Sequence, residues 1–97
     1  MQLNFYATYR QVVGAKSVEL PVAQPITVRE LIERIVARYP ALRRELLDEN
    51  GNLYSHVHVF INGRDAPYLV EGLDTEIDPD ATVNLFPPVA GGAGRGV

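Results

Sequence analysis

The stretch TVRELIERIVARYP, residues 27 to 40, is the clearest structural signal in this sequence. Its apolar residues recur every three or four positions, a spacing typical of a helix with one buried face and not of a strand. They are Val28, Leu31, Ile32, Ile35, Val36 and Tyr39. Thr27 is a suitable N-cap, Glu30 completes a capping box three residues later, and Pro40 ends the helix.

Two segments before this helix have the alternating pattern of strands. LNFYATYR, residues 3 to 10, and KSVELPV, residues 16 to 22, each place an apolar or aromatic residue at every second position. Gly14 lies between them and is expected to turn the chain. The two segments are therefore predicted to be strands that pair as a hairpin.

The rest of the chain after the helix contains shorter elements. Residues 41 to 47 are predicted to form a short helix, followed by a polar turn at Asn50-Gly51. HVHVFING, residues 56 to 63, alternates as a strand does and stops at Asn62-Gly63. Residues 64 to 77 show no sustained period and are predicted to be irregular with at most one short strand. A turn at residues 78 to 80 then leads to a last strand.

This order of elements favours one mixed sheet that is packed on one side by the long helix, an α+β architecture. If the first and last strands lie parallel in the centre of the sheet, the fold is a β-grasp. We predict a single domain from residues 1 to 90 and a flexible tail from residues 91 to 97. A chain of 97 residues with 46% hydrophobic and 22% charged residues suits one such core.

Composition also disfavours several kinds of partner. The net charge is −3 and Arg43-Arg44 is the one adjacent basic pair, so direct binding to nucleic acid is not expected. The start MQLNFYATYR does not resemble a signal peptide, and no apolar run approaches the length of a membrane span. A cytoplasmic protein with no membrane partner is therefore predicted. The sequence contains no cysteine, so any sulfur chemistry must occur elsewhere than on a side-chain thiol.

No metal site or catalytic site of its own is predicted. His56 and His58 point to the same face of a strand, but no third ligand lies near them in sequence. The segment DENGN, residues 48 to 52, resembles the start of a calcium loop, yet Leu53 and Val59 occupy the positions of the required glycine and glutamate. No triad or close carboxylate pair lies on recognisable catalytic elements, so we expect a carrier or substrate protein and not an enzyme.

The segment LFPPVAGG, residues 85 to 92, resembles the ending of the MoaD/ThiS family of ubiquitin-like sulfur carriers, which includes the small subunit of molybdopterin synthase. The helical stretch at residues 27 to 40 and the segment LYSHVHVFINGRD, residues 53 to 65, resemble the corresponding parts of that family. Residues 53 to 77 form a longer segment, which is more similar to cysteine-biosynthesis carriers and small archaeal modifier proteins. The resemblance implies a β-grasp fold.

The resemblance also implies a chemistry for Gly92. An ATP-using, E1-like adenylyltransferase would adenylate its carboxylate, and a sulfur donor would displace AMP to leave a thiocarboxylate. A sulfur-using synthase or acceptor enzyme would then take the sulfur in molybdopterin, cysteine or thiamin synthesis or in tRNA thiolation. The carrier itself would bind no cofactor. The alternative is a ubiquitin-like modifier joined through Gly92 to lysines of target proteins, which needs the same activated carboxylate.

The residues before Gly92 suit passage through a narrow enzyme channel. Gly91 and Gly92 have no Cβ, and Pro87 and Pro88 fix φ so that the tail projects from the last strand. With Val89 and Ala90, these residues form the segment that partner enzymes would recognise. Phe86 is either the last core residue of its strand or an anchor that docks the E1-like enzyme.

In this chain the segment AGRGV, residues 93 to 97, follows Gly92, so its carboxylate is held in a peptide bond. Some relatives with such extensions are matured by a zinc-dependent JAMM-type metallopeptidase that cuts after Gly-Gly, and the resemblance implies a cut between Gly92 and Ala93. A third reading is a β-grasp interaction module that has lost activation. Lys16 is the only lysine, which favours single attachment over long chains in the modifier reading.

Overall fold

The computed structural model describes residues 1–54, 56–65 and 72–87 of the chain. Within these ranges the three helices are α1 (Ala7–Val13), α2 (Val28–Arg38) and α3 (Arg43–Leu46). The strands are β1 (Gln2–Phe5), β2 (Ser17–Glu19), β3 (Ile26–Thr27), β4 (His58–Ile61), β5 (Arg64–Asp65), β6 (Glu76–Ile77) and β7 (Thr82–Phe86). Short 3₁₀ turns lie at Pro40–Leu42 and Gly72–Asp74.

Five of the strands form one mixed sheet in the order β2-β1-β7-β4-β5. The central strands β1 and β7 are parallel, with Leu3 opposite Val83 and Phe5 opposite Leu85. Both β2 and β4 are antiparallel to their neighbours, and β3 pairs with β6 in a separate two-stranded sheet. The first and last strands therefore lie side by side in the centre, which confirms the β-grasp fold predicted from the sequence.

Helix α2 begins as predicted, with a complete capping box. The backbone N–H of Glu30 donates to Thr27 Oγ1 at 3.1 Å, and the backbone N–H of Thr27 donates to Glu30 Oε1 at 3.2 Å. These two bonds satisfy amide groups that have no partner inside the helix. The fully buried face of the helix consists of Val28, Leu31, Ile32 and Ile35.

The core lies between α2 and one face of the five-stranded sheet. Alternate residues of the strands fill it, and each of them is at most 1% exposed: Leu3, Phe5, Val59, Val83 and Leu85. Phe5 also contacts Tyr39 edge to face, with ring centroids 6.0 Å apart. Because side chains alternate across a strand, the intervening residues of the same strands project from the opposite face.

The prediction of a strand over residues 3 to 10 is wrong in its second half. Strand β1 ends at Phe5 and residues 7 to 13 form α1, which buries Tyr9 and ends at Gly14 in the left-handed conformation (φ 85°). Tyr9 and Val13 are four residues apart, a spacing that suits a helix face, whereas the alternation from Leu3 suits a strand. The pairing of β1 with β2 is confirmed, but a helix and not a tight turn connects them.

The turns were predicted more accurately than the irregular segment. Asn62 and Gly63 both have positive φ (51° and 88°) and join β4 to β5 in a two-residue hairpin. Asp48 Oδ1 accepts from the backbone N–H of Asn50 and of Asn52, which makes the polar turn expected there. Residues 64 to 77 contribute two short strands, β5 and β6, where at most one was expected, and residues 66 to 71 lie outside the described ranges.

Tyr9 is an unusual core residue because its hydroxyl is buried in an unfavourable environment. It is 1% exposed, and its hydroxyl oxygen is buried without a hydrogen-bond partner among the described residues. Burial of this hydroxyl, together with the nearby Glu45 carboxylate, raises its pKa to about 12. An unsatisfied buried hydroxyl costs about 1–3 kcal/mol, so Tyr9 contributes less to stability than phenylalanine would.

We expect Tyr9→Phe to unfold at the same or a higher urea concentration than the unaltered protein at pH 7. The folded state holds the Tyr9 proton more tightly than the unfolded state does, so stability from this group is complete below pH 10. It is lost as the pH rises through about 12. Tyr9→Phe should remove up to about 2–3 kcal/mol of that alkaline loss. Urea unfolding between pH 7 and 12 measures this, with Tyr54→Phe as the control. Parallel stability profiles for all three proteins would contradict the assignment.

Candidate functional site

The sheet face opposite the core carries a cluster of aromatic rings at the end of β7. The rings of Tyr6 and Phe86 stack with centroids 4.3 Å apart, and Phe60 meets Phe86 edge to face at 5.3 Å. All three side chains are half-buried. We refer to Tyr6, Phe60 and Phe86 as the outer aromatic cluster.

Strand register explains why these three rings meet. Phe5 lies opposite Leu85 in the parallel pair, so the next residues along, Tyr6 and Phe86, lie side by side at the same end of the two strands. Strand β4 runs antiparallel to β7 and places Phe60 opposite Asn84, one diagonal step from Phe86. Diagonal neighbours on one sheet face are within reach of large side chains, so the cluster follows directly from the pairing.

A polar network supports the cluster on the same face. Asn84 Oδ1 accepts from Asn4 Nδ2 at 2.8 Å and from the Tyr6 hydroxyl at 3.3 Å. Ser17 Oγ donates to Asn4 Oδ1 at 2.7 Å, so the network spans β2, β1 and β7. The Lys16 ammonium lies 5.9 Å from the centre of the Tyr6 ring, within the range of a cation–π contact. These contacts hold Tyr6 against Phe86.

Phe86 is not a core residue in this structure. Val83 and Leu85 are the residues of β7 that fill the core, whereas Phe86 is half-buried within the outer aromatic cluster. Of the two readings left open by the sequence, the geometry therefore excludes the one in which Phe86 only completes the core. Its role in docking a partner stays a prediction. The sequence did not predict that Tyr6 and Asn84 would help to hold Phe86 in place, because these contacts depend on strand register.

Pro87 follows β7 directly and is the last residue that the structure describes before the Gly-Gly pair. The other predicted tail residues, Pro88, Val89, Ala90, Gly91 and Gly92, lie outside the described ranges, as does Ala93 at the expected processing site. Five residues span at most about 18 Å when fully extended. Any enzyme that acts on Gly92 must therefore come within that distance of Pro87.

A groove of about 590 Å³ opens at Pro87, on the side of α1 and α3. Its lining includes Tyr9, Arg44, Glu45, Tyr54, His56 and Pro87. A second groove of about 680 Å³ shares Arg44 and Tyr54 with it, so the two are neighbours on one surface. We call the first of these the tail-base groove. The sequence shows Arg43-Arg44 only as a basic pair and carries no signal for the groove.

The histidines do not form part of a metal centre in the described ranges. No group of three or more potential ligands from histidine, cysteine, aspartate and glutamate comes together there. The His56 ring instead stacks on Tyr54 with centroids 4.8 Å apart, and the His58 ring lies 6.2 Å from Phe60. In the same part of the chain, no helix has the length and hydropathy needed to cross a membrane.

Known proteins with similar sequences and folds include both modifiers and carriers. Small archaeal modifier protein 3 of Haloferax volcanii is 40% identical over 92 residues, which cover 95% of this chain and 98% of that protein. A protein of Archaeoglobus fulgidus that is named as a sulfur carrier is 34% identical over 70 residues, covering 72% of this chain and 78% of its own.

A crystal structure of small archaeal modifier protein 1 from Haloferax volcanii superimposes with a TM-score of 0.82 at 30% identity. The match covers 94% of this chain and 97% of that one. The sequence model of the ThiS family matches residues 3–92, from the start of β1 to the second glycine of the Gly-Gly pair. With its central parallel strands and capped helix, the chain belongs to the ThiS family of ubiquitin-like β-grasp proteins.

Proposed function

We propose that this protein is a sulfur carrier whose working group is the carboxylate of Gly92, set free when residues 93 to 97 are removed. The observation that carries the proposal is the family match, which begins in β1 and ends at Gly92. The fold supports it, because β7 leads directly into Pro87 and the tail from the centre of the sheet. We place this activity in the cytoplasm.

The proposed chemistry proceeds in two steps on an E1-like adenylyltransferase. A carboxylate oxygen of Gly92 attacks the α-phosphorus of ATP, and pyrophosphate leaves. Hydrosulfide, HS⁻, supplied by a sulfur donor then attacks the acyl carbon, AMP leaves with the electron pair of the broken C–O bond, and the S–H proton is lost to the medium. The product is a thiocarboxylate, which is ionised at neutral pH and can transfer its sulfur to an acceptor enzyme. ATP is thus used by the partner, and the carrier supplies the acyl group.

The outer aromatic cluster is the proposed docking surface for the adenylyltransferase and for the sulfur-using enzyme. Protein interfaces depend on a few aromatic anchors, and the cluster supplies three rings in a fixed arrangement. Phe86 immediately precedes Pro87, so a partner that covers this ring also meets the start of the tail. The same partner would recognise the segment from Pro87 to Gly91 as that segment enters its active site.

The second candidate function is attachment of the protein to lysines of other proteins through Gly92. The 40% identity to a small archaeal modifier protein favours it. Activation of Gly92 would be the same, but a lysine amine and not a sulfur donor would attack the acyl carbon. The form recovered from cells distinguishes the two: a thiocarboxylate supports the carrier, and an isopeptide link to other proteins supports the modifier.

The chain end decides whether Gly92 can be activated. Full-length protein and a form ending at Gly92 are incubated with ATP, an E1-like enzyme and a sulfur donor, and their intact masses are measured. We expect only the shorter form to exchange one oxygen for sulfur, because the carboxylate of Gly92 in the full chain is part of a peptide bond. Treatment of the full chain with a JAMM-type metallopeptidase should cut between Gly92 and Ala93 and restore the exchange.

Two results would contradict this prediction in different ways. Sulfur gained equally by the untreated full chain would show that residues 93 to 97 are not a removable segment and that Gly92 is not the working end. If neither form reacts with ATP and the E1-like enzyme, the third reading, an interaction module without activation, would be correct.

Substitution of Phe86 tests the docking role of the outer aromatic cluster. In the form ending at Gly92, Phe86→Ala should raise the KM for adenylation by about 30-fold, the effect of losing one interface anchor worth about 2 kcal/mol. ATP–pyrophosphate exchange measures this. The control is Glu33→Ala, an exposed change on α2, which covers the opposite face of the sheet. Equal KM values for the two variants would refute docking through Phe86. Urea unfolding should show only a modest loss for Phe86→Ala, because the ring lies outside the core.

A further inference from the structure

Two asparagines lie side by side in the centre of the five-stranded sheet, on the face away from the core. Asn4 of β1 is opposite Asn84 of β7, and both side chains are half-buried. Asparagine is depleted in strands, where β-branched and aromatic residues pack better against their neighbours. At the position where the two central strands pair, the chain therefore carries residues that the stability of the sheet alone does not favour.

Hydrogen bonds give these two amides a fixed orientation. Asn4 Oδ1 accepts from Ser17 Oγ at 2.7 Å and from Gln2 Nε2 at 3.1 Å, so the amide nitrogen of Asn4 is directed towards β7. This nitrogen donates to Asn84 Oδ1 at 2.8 Å, and the same oxygen accepts from the Tyr6 hydroxyl at 3.3 Å. An amide oxygen has two lone pairs, so Asn84 can accept both bonds at once. The chain of hydrogen bonds thus ends at the hydroxyl of Tyr6.

Strand pairing alone does not fix the side chain of Tyr6. Strand β1 ends at Phe5, and Tyr6 lies at the junction where the chain enters α1. Its backbone N–H donates to the Leu85 carbonyl at 3.3 Å, which is long for a bond of this class. The Tyr6 ring nevertheless stacks on Phe86 with the two ring planes 13° apart. The hydrogen bond to Asn84 fixes the hydroxyl end of this ring, while Phe86 contacts its face.

We propose that Asn84, oriented by Asn4, is a positioning residue that holds Tyr6 in the docking arrangement before a partner binds. This inference rests on the proposed docking through the outer aromatic cluster and names the residue that assembles the cluster. Binding orders flexible side chains at a cost in conformational entropy, and a ring that is already held in place avoids that cost. Asn84 is also opposite Phe60 and two residues before Phe86, so it is adjacent to all three rings.

Adenylation kinetics with the E1-like adenylyltransferase test the positioning role in the form that ends at Gly92. Asn84→Ala and Tyr6→Phe each remove the hydroxyl bond. Each should raise the KM by about two- to tenfold without altering kcat, the effect of one side chain that must be ordered on binding. The double variant should have the same KM as Asn84→Ala alone, because both changes break the same bond. Thr82→Ala, on the same face of β7 two residues earlier, is the control and should leave the KM unaltered.

A second measurement does not depend on activation. Nuclear Overhauser contacts between the rings of Tyr6 and Phe86 should be strong in the unaltered protein, in which the ring centroids are 4.3 Å apart. These contacts should weaken in Asn84→Ala but not in Thr82→Ala. Urea unfolding accompanies both measurements, to show that the variants remain folded under the conditions of each assay.

Four outcomes would overturn the positioning role of Asn84. They are unaltered ring contacts in Asn84→Ala, additive effects of the two changes on the KM, a fall in kcat in place of a rise in the KM, and a loss of folded protein that accounts for that rise. A different result would refute the proposed function: no adenylation of the unaltered form ending at Gly92. Weaker ring contacts in Asn84→Ala would then still support the ordering of Tyr6 by Asn84.

Discussion

The parallel pairing of β1 with β7 is the constraint on which the rest of this structure depends. It joins residues 80 positions apart, so the loop-closure entropy that this pairing costs must be offset by the packing of the helices and strands between them. Because the two strands run in the same direction, Phe5 and Leu85 lie at the same end of the sheet. The chain enters α1 at this end of the sheet and leaves β7 at Pro87 there, which places the start of α1 beside Pro87.

The two faces of these central strands have different roles in the structure. Leu3, Phe5, Val83 and Leu85 face α2 and provide the buried area that stabilises the fold. The residues between them, including Asn84 and Phe86, form the polar network and the outer aromatic cluster. A partner can therefore bind the outer rings without disturbing the core. Because of this separation, the proposed docking through Phe86 can be altered with little effect on stability.

Pro87 lies where two different surfaces meet. On the strand side it follows the outer aromatic cluster, and on the side of α1 and α3 it forms part of the tail-base groove. An enzyme that acts on Gly92 therefore approaches both surfaces.

The sequence alone determined the elements whose signals are local: the capping box and apolar face of α2, the turn at Asn62-Gly63, the last strand, and the tail motif with its resemblance to a family. Tertiary structure decided the rest. Residues 7 to 13 fit the patterns of a strand and of a helix, and the structure forms the helix, in which Tyr9 is buried but Ala7, which strand alternation would also bury, is exposed. Strands β3 and β6 are two residues each, too short to show a period. The outer aromatic cluster and the tail-base groove combine segments far apart in the chain, and only strand register and packing bring such segments together.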